Sequence, residues 1–356
     1  MSIAPEQIDK KAKIVPDKIK VSGVILIDKP YGMTSQQVVS KVKYLFKSPN
    51  HNSKKAGHTG TLDPMATGLL PVCLGEATKF SHYQLDADKT YQATILLGSQ
   101  TDTGDAEGQI VKTVSVPKFD EVALEKIAQQ FLGAQQQIPP MYSALKKDGK
   151  KLYEYARAGI EVERLPRDIV TKSIDLKALD NEQIQLTVTC TKGTYVRVLG
   201  EDIAKALGTL GHLIALRRLQ VGKFNIDNAL SLAALEEQAL DNRQAQLMPV
   251  DACIDIDMKL TLTTEQCKRI HMGQRLNVSE QLTDQIKNYI LDRIDNQSSS
   301  HIDKGNSATA KDTTSAQLLT YETPIDIRLI NEQGQFLGLG AISLNGRLQP
   351  KKLIQR

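Results

Sequence analysis

Apolar positions along this chain change period several times, and each change marks an element. Residues 24 to 28 form a short apolar run, the pattern of a buried strand. Over residues 34 to 46, Val38, Val39, Val42 and Leu45 recur at helical spacing, with Thr34 or Ser35 as the cap. A second helix is predicted near 75 to 85. Residues 91 to 98 and 109 to 116 read as strands joined by a turn-rich segment, followed by helices over 120 to 132 and 151 to 158. Strands are predicted again at 168 to 177 and 183 to 191. In the latter Ile184, Leu186, Val188 and Cys190 alternate with Gln185, Thr187 and Thr189, the period-2 signature of a half-buried strand. A helix over 195 to 207, a strand over 212 to 224 and a Ser231-capped helix over 230 to 240 complete the first part.

Long strands and helices without a regular βαβ repeat predict an α+β fold on a mixed or antiparallel sheet. Residues 296 to 317 are rich in Ser, Thr, Asn, Asp and Lys and poor in large apolar side chains, so disorder is expected there. Strands follow at 325 to 330 and 336 to 344 around the turn at 331 to 334, and Asn345-Gly346 signals another hairpin. The expected organisation is a loose extension over 1–20, a large domain over 21–250 and a small β domain over 251–356. A disordered polar insertion at about 285–320 interrupts the small domain.

Composition narrows the class. At 356 residues the chain is long enough for two domains, by the guide of roughly 100 to 200 residues each, and 40% hydrophobic content supplies a core. With 4% aromatic residues and no Trp, a broad base-stacking sheet is disfavoured. Lys plus Arg (45) exceeds Asp plus Glu (41) too slightly to name a partner. The distribution says more: Lys41 to His58 holds five lysines and no acid, and Ile203 to Asn225 holds two arginines and two lysines around no carboxylate, as phosphate contacts or solvated faces would require. Cys73, Cys190, Cys253 and Cys267 lack metal-binding spacing, which excludes a zinc cluster or a disulfide framework and predicts reduced thiols, Cys73 and Cys190 in the core. No apolar run approaches the roughly 20 residues of a membrane span, and the polar N-terminus carries no signal-peptide pattern, so a cytoplasmic protein is expected.

Candidate chemistry concentrates in Gly57-His-Thr-Gly-Thr-Leu-Asp63-Pro-Met-Ala-Thr-Gly-Leu-Leu-Pro71. Asp63 is its single acid, with no cationic partner nearby in sequence. It is either a turn-forming Asp before Pro64 or a catalytic carboxylate on a shaped loop. No Gly-x-Gly-x-x-Gly after a strand, Walker-type loop or metal cluster accompanies it.

This run resembles the catalytic loop of the TruB-type pseudouridine synthases. The resemblance extends in order through Gly23 to Ser35, Leu74 to Phe80, Lys89-Thr-Tyr91, Thr101 to Asp105, Ile138 to Lys146, Lys192-Gly-Thr-Tyr195-Val-Arg197 and Leu216-Arg-Arg-Leu219, covering residues 23 to 224. It implies isomerisation of a uridine in the T loop of tRNA, at the nucleotide numbered 55, by base flipping and without cofactor or metal. The partner it implies is the tRNA T arm, met by a monomer with no obligate protein partner and no membrane.

The resemblance puts Asp63 beside the sugar. From there it could attack C1′, attack C6 of the ring, or promote a glycal. Arg197 would be its cation, a planar fork able to hold a carboxylate bidentately. Tyr91 would stack on the uracil and take the C5 proton. Tyr195 and Leu216 would pack against the flipped base, and His58 would fill the space it leaves. Lys29, in a motif that shapes the pocket wall, would be structural or face phosphate rather than catalytic, and Asp105 is a further acid near bound RNA. Residues 251–356 would correspond to the family's PUA-like RNA-binding domain. A guide-RNA-dependent relative, a non-catalytic RNA chaperone and a glycoside hydrolase are the competing readings, the last weakened by the absence of a second carboxylate close to Asp63 in sequence.

Overall fold

A computed structural model describes residues 18–302 and 320–355. The predicted extension lies outside the described residues over 1–17, while Ile19–Lys20 pairs in parallel with His51–Asn52.

The first of two large sheets is built on β1 (Gly23–Lys29), β2 (Thr67–Leu74), β3 (Lys89–Leu97), β4 (Gly133–Gln137), β5 (Arg167–Ala178), β6 (Gln183–Cys190) and β7 (Gly211–Val221). Its spatial order is β1-β2-β7-β3-β6-β5-β4, with Leu230–Ser231 added beside β1. Neighbours run antiparallel except β2 with β7 and the added edge. The mixed, largely antiparallel sheet is the α+β architecture that the patterning predicts. Strands β1 and β2 are covered on both faces and so read as continuous apolar runs. Strands β3 and β6 alternate instead. Their inward residues Tyr91, Ala93, Ile95, Ile184, Leu186 and Val188 meet helices α2 (Glu121–Gln130) and α3 (Val196–Ala206) in one apolar core. On β1, helix α1 (Ser35–Leu45) buries Val38, Val39, Val42 and Leu45 and opens with a Thr34–Gln37 capping box.

At the parallel crossing the chains approach closely. Gly68 sits at φ +101°, and a Cβ there would lie 2.3 Å from the Arg218 carbonyl oxygen. Only glycine lets β2 and β7 lie side by side at this point.

Two predicted helices are shorter than expected. Over 75 to 85 the chain forms a 3-10 turn (Gly75–Lys79) and one α-turn (His82–Leu85). The Thr78 and Ser81 hydroxyls each donate to the carbonyl three residues back, which favours tight turns over a continuous helix. Over 230 to 240 the Ser231 cap is present, but the helix stops at Glu237 and another runs Leu240–Ala245.

The second sheet has β8 (Lys259–Leu262), β9 (Leu276–Asn277), β10 (Ile325–Asn331), β11 (Phe336–Ile342) and β12 (Arg347–Leu353) in the order β8-β10-β11-β12-β9. The expected disorder at about 285–320 is corrected over its first half, where α4 spans Asp284–Ile302. Ile286, Ile290 and Ile294 recur every fourth residue and are buried on the second core. That stripe offsets the ordering entropy, and the polar bias that suggests disorder begins only after it. The rest of the predicted insertion, 303–319, lies outside the described residues. The two sheets share a core in which Val24, Leu69, Cys73 and Phe80 meet Cys253, Ile254, Leu339 and Ile354. Cys73 and Cys190 are free and buried, as expected of core thiols.

Candidate active site

The loop carrying Asp63 is held from behind by three polar side chains that the surrounding fold buries. The Ser35 hydroxyl, on the first turn of α1, donates to the Leu62 carbonyl (3.1 Å) and accepts from the Leu62 N–H (2.8 Å). Lys29, at the end of β1 and fully buried, donates to the carbonyls of Pro30, Met33 and Pro64. Arg218 on β7, also fully buried, donates to the carbonyls of Leu69 (2.8 Å) and Gly60 (3.0 Å). Buried cations without carboxylates are costly unless carbonyl dipoles replace water, and both have them. Burial lowers the Lys29 ammonium to about 8, against the upward pull of Asp63 and Glu107. The loop tip therefore stands fixed, with the Asp63 side chain about two-fifths exposed.

Arg197, in the first turn of α3, reaches that carboxylate through Nη2 at 3.0 Å. It does not hold Asp63 bidentately, as the sequence suggests. Nη1 turns instead to Asp105 (3.4 Å) and the Thr103 carbonyl (2.7 Å), and Nη2 also donates to the Tyr142 carbonyl (2.8 Å). The fork thus bridges two carboxylates, of which Asp105 is buried and accepts from the Thr103 hydroxyl and the Glu107 N–H. The second acid absent from the local sequence is supplied across the fold.

Asp63, Tyr91, Tyr195, Arg197 and Leu216 line one cleft of about 270 Å³. Tyr91 enters from β3 opposite Arg218 in the strand register. Burial pushes its phenol up, with the adjacent Arg218 pulling it back. Burial likewise raises Tyr195. Two further expected residues stand outside the lining of this cleft. Lys29 is behind the loop with its ammonium donated to carbonyls, the structural one of its two expected roles. His58 lies in the short strand Ala56–His58, where Nδ1 accepts the Gly60 N–H at 3.2 Å and burial lowers its pKa.

Sequence reasoning passes over Arg218, Lys89 and Gln137. Alternation along β7 carries the signal for Arg218, since it shares the buried face with Leu216. Lys89 also lines the cleft, donates to the carbonyls of Leu85 and Ala87, and is lowered to about 8, chiefly by burial. In the acid-free segment 203 to 225 each cation already has an internal contact. Arg217 pairs with Asp28, Arg218 is buried, Lys223 donates to the Ile254 carbonyl and Lys205 pairs with Asp202. Among the described residues no cluster of three or more His, Cys, Asp or Glu side chains could hold a metal ion, and no helix is long and apolar enough to cross a membrane.

Three family models match the chain and define its class as a pseudouridylate synthase. They are the TruB family pseudouridylate synthase N-terminal domain over 48–196, the tRNA pseudouridylate synthase B C-terminal domain over 197–255, and the pseudouridine synthase II TruB C-terminal model over 320–354. The chain is 72% identical over 362 residues to tRNA pseudouridine synthase B of Psychrobacter cryohalolentis, with 100% of both chains covered. It is 67% identical over 383 residues to the protein of the same name from Psychrobacter arcticus, again with 100% of both covered. This chain belongs to the TruB family. Its fold is shared at 20% identity and a TM-score of 0.60 with a solved H/ACA ribonucleoprotein bound to a substrate RNA containing 2′-deoxyuridine, over 94% of this chain and 85% of that one.

Proposed function

We propose that this chain isomerises a uridine in the T loop of tRNA, at the nucleotide numbered 55, to pseudouridine. The observation that carries the proposal is the Asp63–Arg197 ion pair at 3.0 Å, set in a cleft walled by Tyr91, Tyr195 and Leu216. A uridine inside a folded loop reaches such a cleft only when extruded from its stack, and His58, half-buried at the root of the loop, is assigned to the space it vacates.

Asp63 is assigned the carboxylate that breaks and remakes the glycosidic bond. Arg197 holds and aims it, the pairing with Asp105 and two carbonyls leaving the guanidinium little freedom. Tyr195 and Leu216 pack on the uracil. Tyr91 stacks on it and accepts the C5 proton at the end, a step that needs the phenolate; burial opposes that form and the Arg218 charge favours it. The smaller sheet serves as the PUA-like RNA-binding part. The chain acts as a monomer in the cytoplasm on bare tRNA, without guide RNA or obligate protein partner.

The test is incubation of the purified protein with unmodified tRNA transcript, mapping pseudouridine by carbodiimide adduct and primer extension. A single stop in the T loop, absent with Asp63→Asn while tRNA affinity stays within a few-fold, is the expected result. Tight binding without modification would replace this function with that of an RNA chaperone or a guide-dependent enzyme, and near-normal turnover by Asp63→Asn would remove the role assigned to the carboxylate.

A further inference from the structure

Tyr195 stands at the N-terminus of α3 in extended conformation, and no side chain of its own caps the helix. A helix start leaves N–H groups without intrahelical partners, and here a strand from the far edge of the sheet meets the need. Gln137, the last residue of β4, accepts the Tyr195 N–H on Oε1 at 2.7 Å and donates Nε2 to the Tyr195 carbonyl at 3.1 Å. The primary amide is thus matched in both directions to the backbone of one residue, and it is buried. That residue precedes Arg197 by two positions and carries the ring that walls the cleft. Five residues beyond Gln137, the Tyr142 carbonyl takes Arg197 Nη2 at 2.8 Å. One strand end therefore fixes α3 by its backbone and the guanidinium by its tip.

We infer that Gln137 is a positioning residue for the isomerisation, registering Tyr195 and Arg197 against Asp63. The inference rests on the catalytic reading of the Asp63–Arg197 pair. An amide is the group the place requires. Methionine keeps the length but neither bond, and a carboxylate keeps the acceptor while setting negative charge against the Tyr195 carbonyl.

The experiment is single-turnover pseudouridylation of tRNA with enzyme in excess, alongside tRNA Kd and Tm, for wild type, Gln137→Met and Gln137→Glu. A displacement of the order of 1 Å at a reacting group can cost about a hundredfold. Gln137→Met is therefore expected to react roughly ten- to a hundredfold slower, with Kd within a few-fold. Gln137→Glu is expected to be slow at neutral pH and to regain rate relative to wild type as pH falls. The introduced carboxyl, once protonated, again both donates and accepts, and burial raises the pH at which it does so. The charged and titratable groups around it are Arg167 beside it on β5, Arg164 and Glu161 before that strand, Tyr195 at the start of α3, Arg197, Glu201, Asp202 and Lys205 on α3, and Asp102 across the cavity. Dividing by the wild-type rate at each pH removes their common titration.

A Gln137→Met rate equal to wild type would overturn the inference. If that variant is unstable by Tm, the Gln137→Glu ratio decides, and a ratio flat with pH overturns it too. Inactivity of the wild type would instead overturn the proposed function, which separates the two failures.

Discussion

At the scale of single residues, geometry separates groups that the sequence lists together. Arg197 reaches Asp63, Asp105 and the carbonyls of Thr103 and Tyr142 through two separate nitrogens. A lysine offers one nitrogen and cannot span them, so Arg197→Lys is expected to lower single-turnover pseudouridylation by at least about a hundredfold, with tRNA binding retained. Tyr91→Phe keeps the ring and removes the oxygen. The expected loss is on the order of 10² to 10⁴ in rate, and an unchanged rate would leave Tyr91 a stacking role alone. Lys29 and Lys89 hold their carbonyls as ammonium ions and both titrate at about 8. Both are protonated below that pH, and each loses its charge and a donor above it. The wild-type rate should therefore fall as pH rises through about 8. Replacing either lysine by Met should give a lower rate with a shallower fall, measured in single-turnover profiles. Asp63, Tyr91 and Arg197 stand out in the sequence because their motifs are ordered and distinctive. Lys29 and Arg218 do not show their roles there, because charge in a sequence suggests solvent, and carbonyl dipoles that bury a cation belong to no side-chain pattern.

Elements are legible where periodicity alone decides them. Helix α1 and strands β3 and β6 lie within a residue or two of expectation, since one face of each is apolar and the other polar. The helix over Asp284–Ile302 is hidden by averaging a sparse isoleucine stripe with the polar run behind it. Ile290 is fully buried on the second core, so Ile290→Ala should cost roughly 2–5 kcal/mol in denaturant unfolding. A loss below about 0.5 kcal/mol would mean that the helix adds nothing to that core. Which strands are neighbours is not legible either. The parallel contact of β2 with β7 joins residues far apart in the chain, and Gly68 announces it only once Arg218 is seen against it. Gly68→Ala brings strain from positive φ together with a clash against backbone, and should destabilise on the order of 3 kcal/mol, read as a lower Tm.

For the whole molecule, charge is spent unevenly. Of the two acid-free segments, 203 to 225 is consumed by internal contacts, whereas Lys54 and Lys55 remain exposed beside the loop that leads to Asp63. Neutralising both should weaken tRNA binding and flatten the plot of log K against log salt by roughly one unit for each phosphate left without its cation; an unchanged slope would move the RNA path elsewhere. The bridge at Arg197 has a further consequence for how this protein comes into being. Asp63 lies early in the chain and its counter-charge more than a hundred residues later, with Asp105 and Tyr142 between them. At ordinary translation speeds the carboxylate exists for on the order of ten seconds before the guanidinium has been made. A nascent chain is thus born without the Asp63–Arg197 pair, and on the role proposed for that pair no fragment that stops short of α3 should carry the reaction.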